Sequence, residues 1–245
     1  MSENDEMSLE GLDELGIKII PQEVTESFID IFIDIETLPD GDMPTPDEVP
    51  VPGNYSKPET IRAYQEANVI NTYLKRSLIS TKGKVLCIVV YDTKNRQYLT
   101  FGSAEGIETE VLNQFNTYIL SFTEKERYLL RFVGFNIAEF DLTWLKQRAW
   151  KYAYEYGRYL PHNSKSSRLI DLMSLFSAYK YKEYISQDAV CEYLGIGQGM
   201  DTTIDMDTID GSMVYDAFKA GKLDLILQHC LVDVQKLVQI YNKIK

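Results

Sequence analysis

An α/β fold, built on a mixed central sheet flanked by helices, is the architecture this chain predicts. Three observations point to it. Residues 28–36 alternate with a period of two, further apolar strand candidates follow at 85–91, 97–101 and 128–135, and the chain ends in a long segment with helical apolar spacing. Strands gathered in the first half and helices in the second fit a layered sheet-and-helix arrangement. With 245 residues and 44% hydrophobic content, the chain is long enough for one domain with a large core.

In chain order, residues 1–27 form a polar, acidic segment expected to be mobile, containing an IKII stretch that could dock as an extra strand. The domain proper is expected over residues 28–245. In 28–36, Ile29, Ile31, Ile33 and Ile35 alternate with Phe28, Asp30, Phe32, Asp34 and Glu36, as in a buried strand. Residues 38–57 read as an irregular loop, because six of the eight prolines fall between Leu38 and Pro58. A helix is expected at 59–78, a strand pair at 85–91 and 97–101, and a second helix at 107–122. A strand at 128–135 then reaches Gly134, which permits a tight turn, and Asn136, a natural N-cap for a helix starting near Ile137. The last helix, 222–243, carries Leu223, Ile226, Leu227, Cys230, Leu231, Val234, Leu237, Val238 and Tyr241 as its apolar stripe.

Four carboxylates stand out against this frame. Asp34 and Glu36 project from one face of the first strand, their Cα atoms about 6.6 Å apart at about 3.3 Å per residue. They could share one ion or bracket a pair about 3.5–4 Å apart. Taken alone, D-x-E also describes the solvated face of an edge strand. Asp141 lies one turn into the helix after Asn136, beside a core stripe of Phe140, Trp144 and Leu145, although an acid there also suits a helix dipole. Asp233 lies four residues after His229 on the last helix, so the two share a side of it, as a surface pair would too. Converging acids with little to neutralise them are suited to divalent metal, since hard cations prefer oxygen ligands.

FIDIET, then N-x3-F-D, then C-x2-D-V, in this order, resemble the three motifs of the DEDD 3′-5′ exonucleases, specifically the group related to family-B DNA polymerase proofreading. LIDLMSLF, DAVCEYLGI and IDGSMVYDAFKAGKLD look like that group's running pattern, and NYSKPETI looks like its stand-alone phage and prophage versions. The resemblance spans about residues 28–241 and implies a ribonuclease H-like fold and metal-dependent hydrolysis of nucleic acid. It implies Asp34, Glu36, Asp141 and Asp233 as ligands of two divalent cations, Mg²⁺ or Mn²⁺. It further implies that Thr37 and Leu38, just after the strand, touch the terminal nucleotide, Thr37 through its backbone and Leu38 as an apolar wedge. Asn136 and Phe140, also candidate substrate contacts, fit the helix start and the core better than a contact with substrate. One departure concerns His229. Enzymes of this type usually carry Tyr four residues before the last Asp or His five before it, whereas this chain has His at the four-residue offset. One residue turns a helical side chain by about 100°, so His229 takes the tyrosine's place with an imidazole's chemistry. Its unperturbed pKa of about 6.5 suits a base that orients or deprotonates the attacking water.

A net charge of −12 runs against binding nucleic acid, but its distribution softens the objection. Residues 1–16 hold six acids and no base, leaving −6 beyond them, and four more negative charges are the proposed ligands. Residues 142–168 carry Lys146, Arg148, Lys151, Arg158, Lys165 and Arg168 against Glu155 alone, interleaved with Trp144, Trp150 and tyrosines. This could be a strand-binding surface or a solvated helix face over core aromatics. Asp201, Asp205, Asp207 and Asp210 lack the EF-hand spacing and read as a solvated loop. Cys87, Cys191 and Cys230 lack metal spacing and sit in apolar segments, as reduced core residues do. No run of 18 apolar residues and no signal peptide are found, so no membrane association and a soluble, cytoplasmic protein are expected, acting in a host cytoplasm if phage-encoded. DNA is favoured over RNA as partner, and any polymerase or repair partner would be engaged in trans. An exoribonuclease and a non-catalytic nucleic-acid-binding or scaffold domain remain open alternatives.

Overall fold

The first strand is central because both of its faces are apolar. In a computed structural model, which describes residues 27–178, 184–196 and 209–245, β1 (Ile29–Pro39) lies in the middle of a five-stranded sheet of order β3-β2-β1-β4-β5. It pairs antiparallel with β2 (Gly83–Asp92), which pairs antiparallel with β3 (Gln97–Gly102). On its other side β1 runs parallel to β4 (Leu130–Gly134), itself parallel to β5 (Leu169–Asp171). This mixed sheet with helices on both faces is the ribonuclease H-like arrangement.

Period two sorts the side chains of β1 between two cores. Ile31, Ile33 and Ile35 pack under α3 (Glu108–Ser121) and α5 (Asp141–Tyr152). Phe32 and Leu38 pack on the opposite face, with α7 (Gln187–Leu194), α8 (Val214–Lys219) and α9 (Leu223–Ile244). Asp34 and Glu36 share that second face, as the alternation predicts. At its C-terminal end α9 is fastened across the sheet: Arg131 of β4 donates to both oxygens of Asp30, at 2.6 and 2.9 Å, and to the Tyr241 hydroxyl at 2.9 Å.

Several elements differ from the sequence expectation, each for a physical reason. The helix expected at 59–78 is broken into α1 (Pro58–Ala67), α2 (Val69–Leu74) and a 3₁₀ turn, Lys75–Leu78. The break falls at Asn68, whose side-chain amide donates to the Tyr64 carbonyl at 2.8 Å and so competes with the backbone ladder. The strand expected from residue 128 starts at Leu130, because a short helix, α4 (Glu124–Leu129), precedes it. Thr123 and Glu126 form a reciprocal capping box at its start. Thr123→Ala should cost about 1 kcal/mol, read as a lower urea midpoint with unchanged m-value.

Asn136 is not an N-cap. It adopts a left-handed conformation, φ 56°, residues 137–140 form turns, and α5 begins at Asp141 with Phe140 at the cap position. β1 continues through Thr37 and Leu38, which are therefore strand residues rather than the start of a loop, and its register against β2 shifts after Glu36.

The basic stretch at 142–168 does not form a single strand-binding surface. Trp144 is buried and Arg148 is only 4% exposed. Arg148 pairs with Glu108 at 2.5 Å and donates to the carbonyls of Ser80 and Gly83, while Glu108 also accepts from the Val85 N–H and the Tyr152 hydroxyl. These bonds offset the cost of burying the charge pair. Trp150, by contrast, is 76% exposed. Cys87, Cys191 and Cys230 are free and buried, as expected. The acidic segment at 1–26 with its IKII stretch, and Asp201, Asp205 and Asp207, lie outside the described residues. Among the described residues, no helix is long and apolar enough to cross a membrane.

Candidate active site

Three elements converge where β1 and β4 end. β1 presents Asp34 and Glu36 toward α9. β4 stops at Gly134, where a Cβ would stand 2.7 Å from that of Ile137, so only glycine lets the chain turn this tightly. The turn is secured by a residue the sequence reading had not singled out. The carboxylate of Asp171, at the end of β5, accepts the N–H groups of Asn136 at 3.1 Å and Ala138 at 3.2 Å. It also caps α6 (Leu172–Phe176) by accepting from the Ser174 N–H. The signal was present in LID, an apolar strand ending in an N-cap residue, but its partners are 33 and 35 residues upstream.

This turn delivers Asp141 to β1. The Ile35 N–H donates to Asp141 Oδ1 at 3.1 Å, placing that carboxylate between the backbones of Asp34 and Glu36 across 106 residues of sequence. Helix α9 closes the site from the other side. His229 Nε2 stands 3.4 Å from Glu36 Oε1 and 3.6 Å from Asp233 Oδ2. The thiol of Cys230 reaches Asp34 Oδ2 at 3.1 Å, a contact that sequence spacing did not suggest. Lys236 Nζ lies 2.8 Å from both Asp233 Oδ1 and Asp188 Oδ1.

All five predicted catalytic residues, Asp34, Glu36, Asp141, His229 and Asp233, line one cavity of about 670 Å³, together with Asn136 and Phe140. Thr37 and Leu38 do not line it. The Thr37 hydroxyl donates to the Ser77 carbonyl at 2.6 Å, and Leu38 is 2% exposed, packed in the core beneath α9 rather than projecting as a wedge. Asp210, set aside as a loop acid, does reach the rim of the cavity, as does Asp188. Among the described residues, six carboxylates thus line it against one lysine, Lys236.

Burial and crowding raise three of these acids. Burial, followed by repulsion from Asp233, pushes Asp34 up to about 7, with the Cys230 thiol and Lys236 pulling the other way. Burial and then Asp34 push Glu36 well above the ordinary carboxylate range, and the same two causes in the same order raise Asp141. Each acid rests on a local donor or cation: Asp34 on a thiol, Asp141 on a backbone N–H, Glu36 beside an imidazole, Asp233 on an ammonium. Accordingly, among the described residues, no three His, Cys, Asp or Glu side chains are drawn into a closed ligand set. The donor set nevertheless fits hard divalent ions. Four oxygen-bearing acids from three elements line one water-accessible space, and divalent cations there would offset the burial and mutual repulsion that raise Asp34, Glu36 and Asp141.

A family model described as a predicted 3′-5′ exonuclease related to the exonuclease domain of PolB matches residues 75–245. The matched span includes Asp141, His229 and Asp233 and leaves β1, with Asp34 and Glu36, outside. Among curated proteins, none matches the chain.

Proposed function

Because the chain belongs to the family of predicted 3′-5′ exonucleases related to the exonuclease domain of PolB, we propose that its cleft removes nucleotides from DNA 3′ ends, preferably single-stranded, by divalent-cation-assisted phosphodiester hydrolysis. The observation that carries this reading is the meeting of Asp34, Glu36, Asp141 and Asp233, from β1, α5 and α9, in one cavity. Held by these four acids, two Mg²⁺ or Mn²⁺ ions would screen the phosphate's charge and favour ionisation of the attacking and leaving oxygens.

The remaining work falls to the chain's own groups. Nε2 of His229, within 3.6 Å of both Glu36 and Asp233, is placed to accept a proton from an attacking water held between those acids. Cys230 keeps Asp34 turned toward α9, and the Ile35 N–H keeps one oxygen of Asp141 on the strand, so both acids are oriented before substrate arrives. Asn136 and Phe140, on the wall of the same cavity, are positioned to contact the terminal nucleotide. Contact from Thr37 would come from its backbone, its hydroxyl being engaged by Ser77.

The test uses end-labelled single-stranded DNA, duplex DNA and RNA of matched sequence with Mn²⁺ or Mg²⁺. The expected result is a ladder shortening from the 3′ end, fastest on single-stranded DNA and abolished by EDTA. A faster ladder on RNA would move the substrate to RNA, and no ladder on any strand would leave a binding or scaffold domain. In the same assay His229→Ala should lose about 10²-fold in rate, within the usual range for general acid–base catalysis. His229→Tyr should retain more activity than the alanine variant. Equal rates in all three proteins would remove His229 from the mechanism.

A further inference from the structure

Among the described residues, Lys236 is the one lysine or arginine lining the cavity, and the motifs above assign it no part. It lies three residues after Asp233 on α9, so the two side chains neighbour one another on the helix surface. Its ammonium is held on both sides, by Asp233 Oδ1 and by Asp188 Oδ1, each at 2.8 Å. The partners differ in environment: the Asp233 side chain is 19% exposed and that of Asp188 81%. A second bond joins the same two helices, since Gln187 Nε2 donates to the Asp233 backbone carbonyl at 2.8 Å. The first turn of α7 therefore grips Asp233 twice, once directly at its backbone and once through Lys236 at its carboxylate.

The arrangement divides the two oxygens of Asp233. Oδ1 is committed to Lys236, while Oδ2 lies on the side of His229 and Glu36. Asp188 balances the charge of Lys236 from the rim, so the ammonium holds Asp233 without adding net positive charge to the cleft. A carboxylate with one oxygen anchored presents the other in a fixed direction, which lowers the ordering cost of binding an ion there.

Resting on the metal-dependent reading above, we propose that Lys236 is a positioning residue, a clamp anchored by Asp188 that holds Asp233 by one oxygen and presents the other to a divalent cation. The test is Mn²⁺ binding by electron paramagnetic resonance or calorimetry on the full chain without nucleic acid, comparing the parent, Lys236→Met, Lys236→Arg and Asp188→Asn. The methionine variant should weaken Mn²⁺ binding about tenfold. Lys236→Arg, which keeps a two-sided cation, should recover most of that loss, and Asp188→Asn should fall between methionine variant and parent. A merely structural role would lower the cation-free melting temperature without this graded order in Mn²⁺ affinity. Should Lys236→Met fold poorly, Asp188→Asn, altering an exposed residue, carries the test alone. Mn²⁺ binding as tight as the parent's, or tighter, in Lys236→Met, or in Asp188→Asn where that variant stands alone, would overturn the clamp, Lys236 then being spectator or competitor. A parent protein that binds no Mn²⁺ would instead overturn the metal-dependent reading itself.

Discussion

Asp34→Asn is expected to lower nuclease turnover by at least about 10³-fold while making the cation-free protein more stable above pH 7. On the proposed metal-dependent reading, the first effect follows from losing an anionic ligand at the centre of the cleft. Transition-state charge stabilisation by bound metal is worth several kcal/mol, and about 4 kcal/mol corresponds to that factor. The second follows from the cause of the Asp34 shift. Burial and then Asp233 disfavour its ionised form, so at pH 8 the fold carries a charge it resists, and a neutral amide removes that cost. The Cys230 thiol can donate to the amide oxygen as it does to the carboxylate, so the local hydrogen bond survives. Stability and activity are opposed at this residue, as at sites strained for function. End-labelled turnover and calorimetric melting in EDTA at pH 8 measure the two. Substantial activity, or a lower melting temperature than the parent's, would contradict this account of Asp34.

The second large effect is a coupling of stability to pH and to cations. Asp34, Glu36 and Asp141 are all raised above their ordinary values, first by burial and then by their acidic neighbours. The folded protein therefore holds protons that the unfolded chain releases, and unfolding becomes more favourable as pH rises. For Asp34 the contribution is complete below the ordinary value of 3.8 and is lost as pH climbs through about 7. In EDTA, then, Asp34 should make the melting temperature fall as pH climbs from about 4 to about 7, with Glu36 and Asp141 acting in the same direction. Cations that bind the ionised acids should flatten the slope. At a hundredfold excess over Kd, Mn²⁺ should add about 2.7 kcal/mol, or about 5 to 10 °C for a chain of this size. Scanning calorimetry across pH with EDTA or Mn²⁺ reads both terms. A melting temperature that rises with pH over that window in EDTA, with no response to Mn²⁺, would show that the acids are not held as described.

How much of the site was legible beforehand depends on how local its causes are. The strand of Asp34 and Glu36 declares itself by alternation, and His229 and Asp233 share a helix face by spacing alone. These features need only neighbours along the chain. Asp171 did not declare itself, because its role is to accept N–H groups from a turn more than thirty residues upstream. Arg148 looked like one member of a basic surface until its partners, Glu108 and two carbonyls at residues 80 and 83, drew it inside.

Thr37 and Leu38 show the same division at the scale of one strand. The alternation read over 28–36 left both residues just after the strand, yet β2 continues alongside as far as Gly83 and keeps both residues paired. Local sequence determined the alternating central strand, the four acids and the helix that carries His229 and Asp233, since period and residue chemistry act between near neighbours. Tertiary structure alone decided that Asp141 rests on the N–H of Ile35, that Cys230 faces Asp34, and that Lys236 joins Asp233 to Asp188. Each of those depends on where distant segments meet, and their meeting is settled by which faces of β1 the two cores bury.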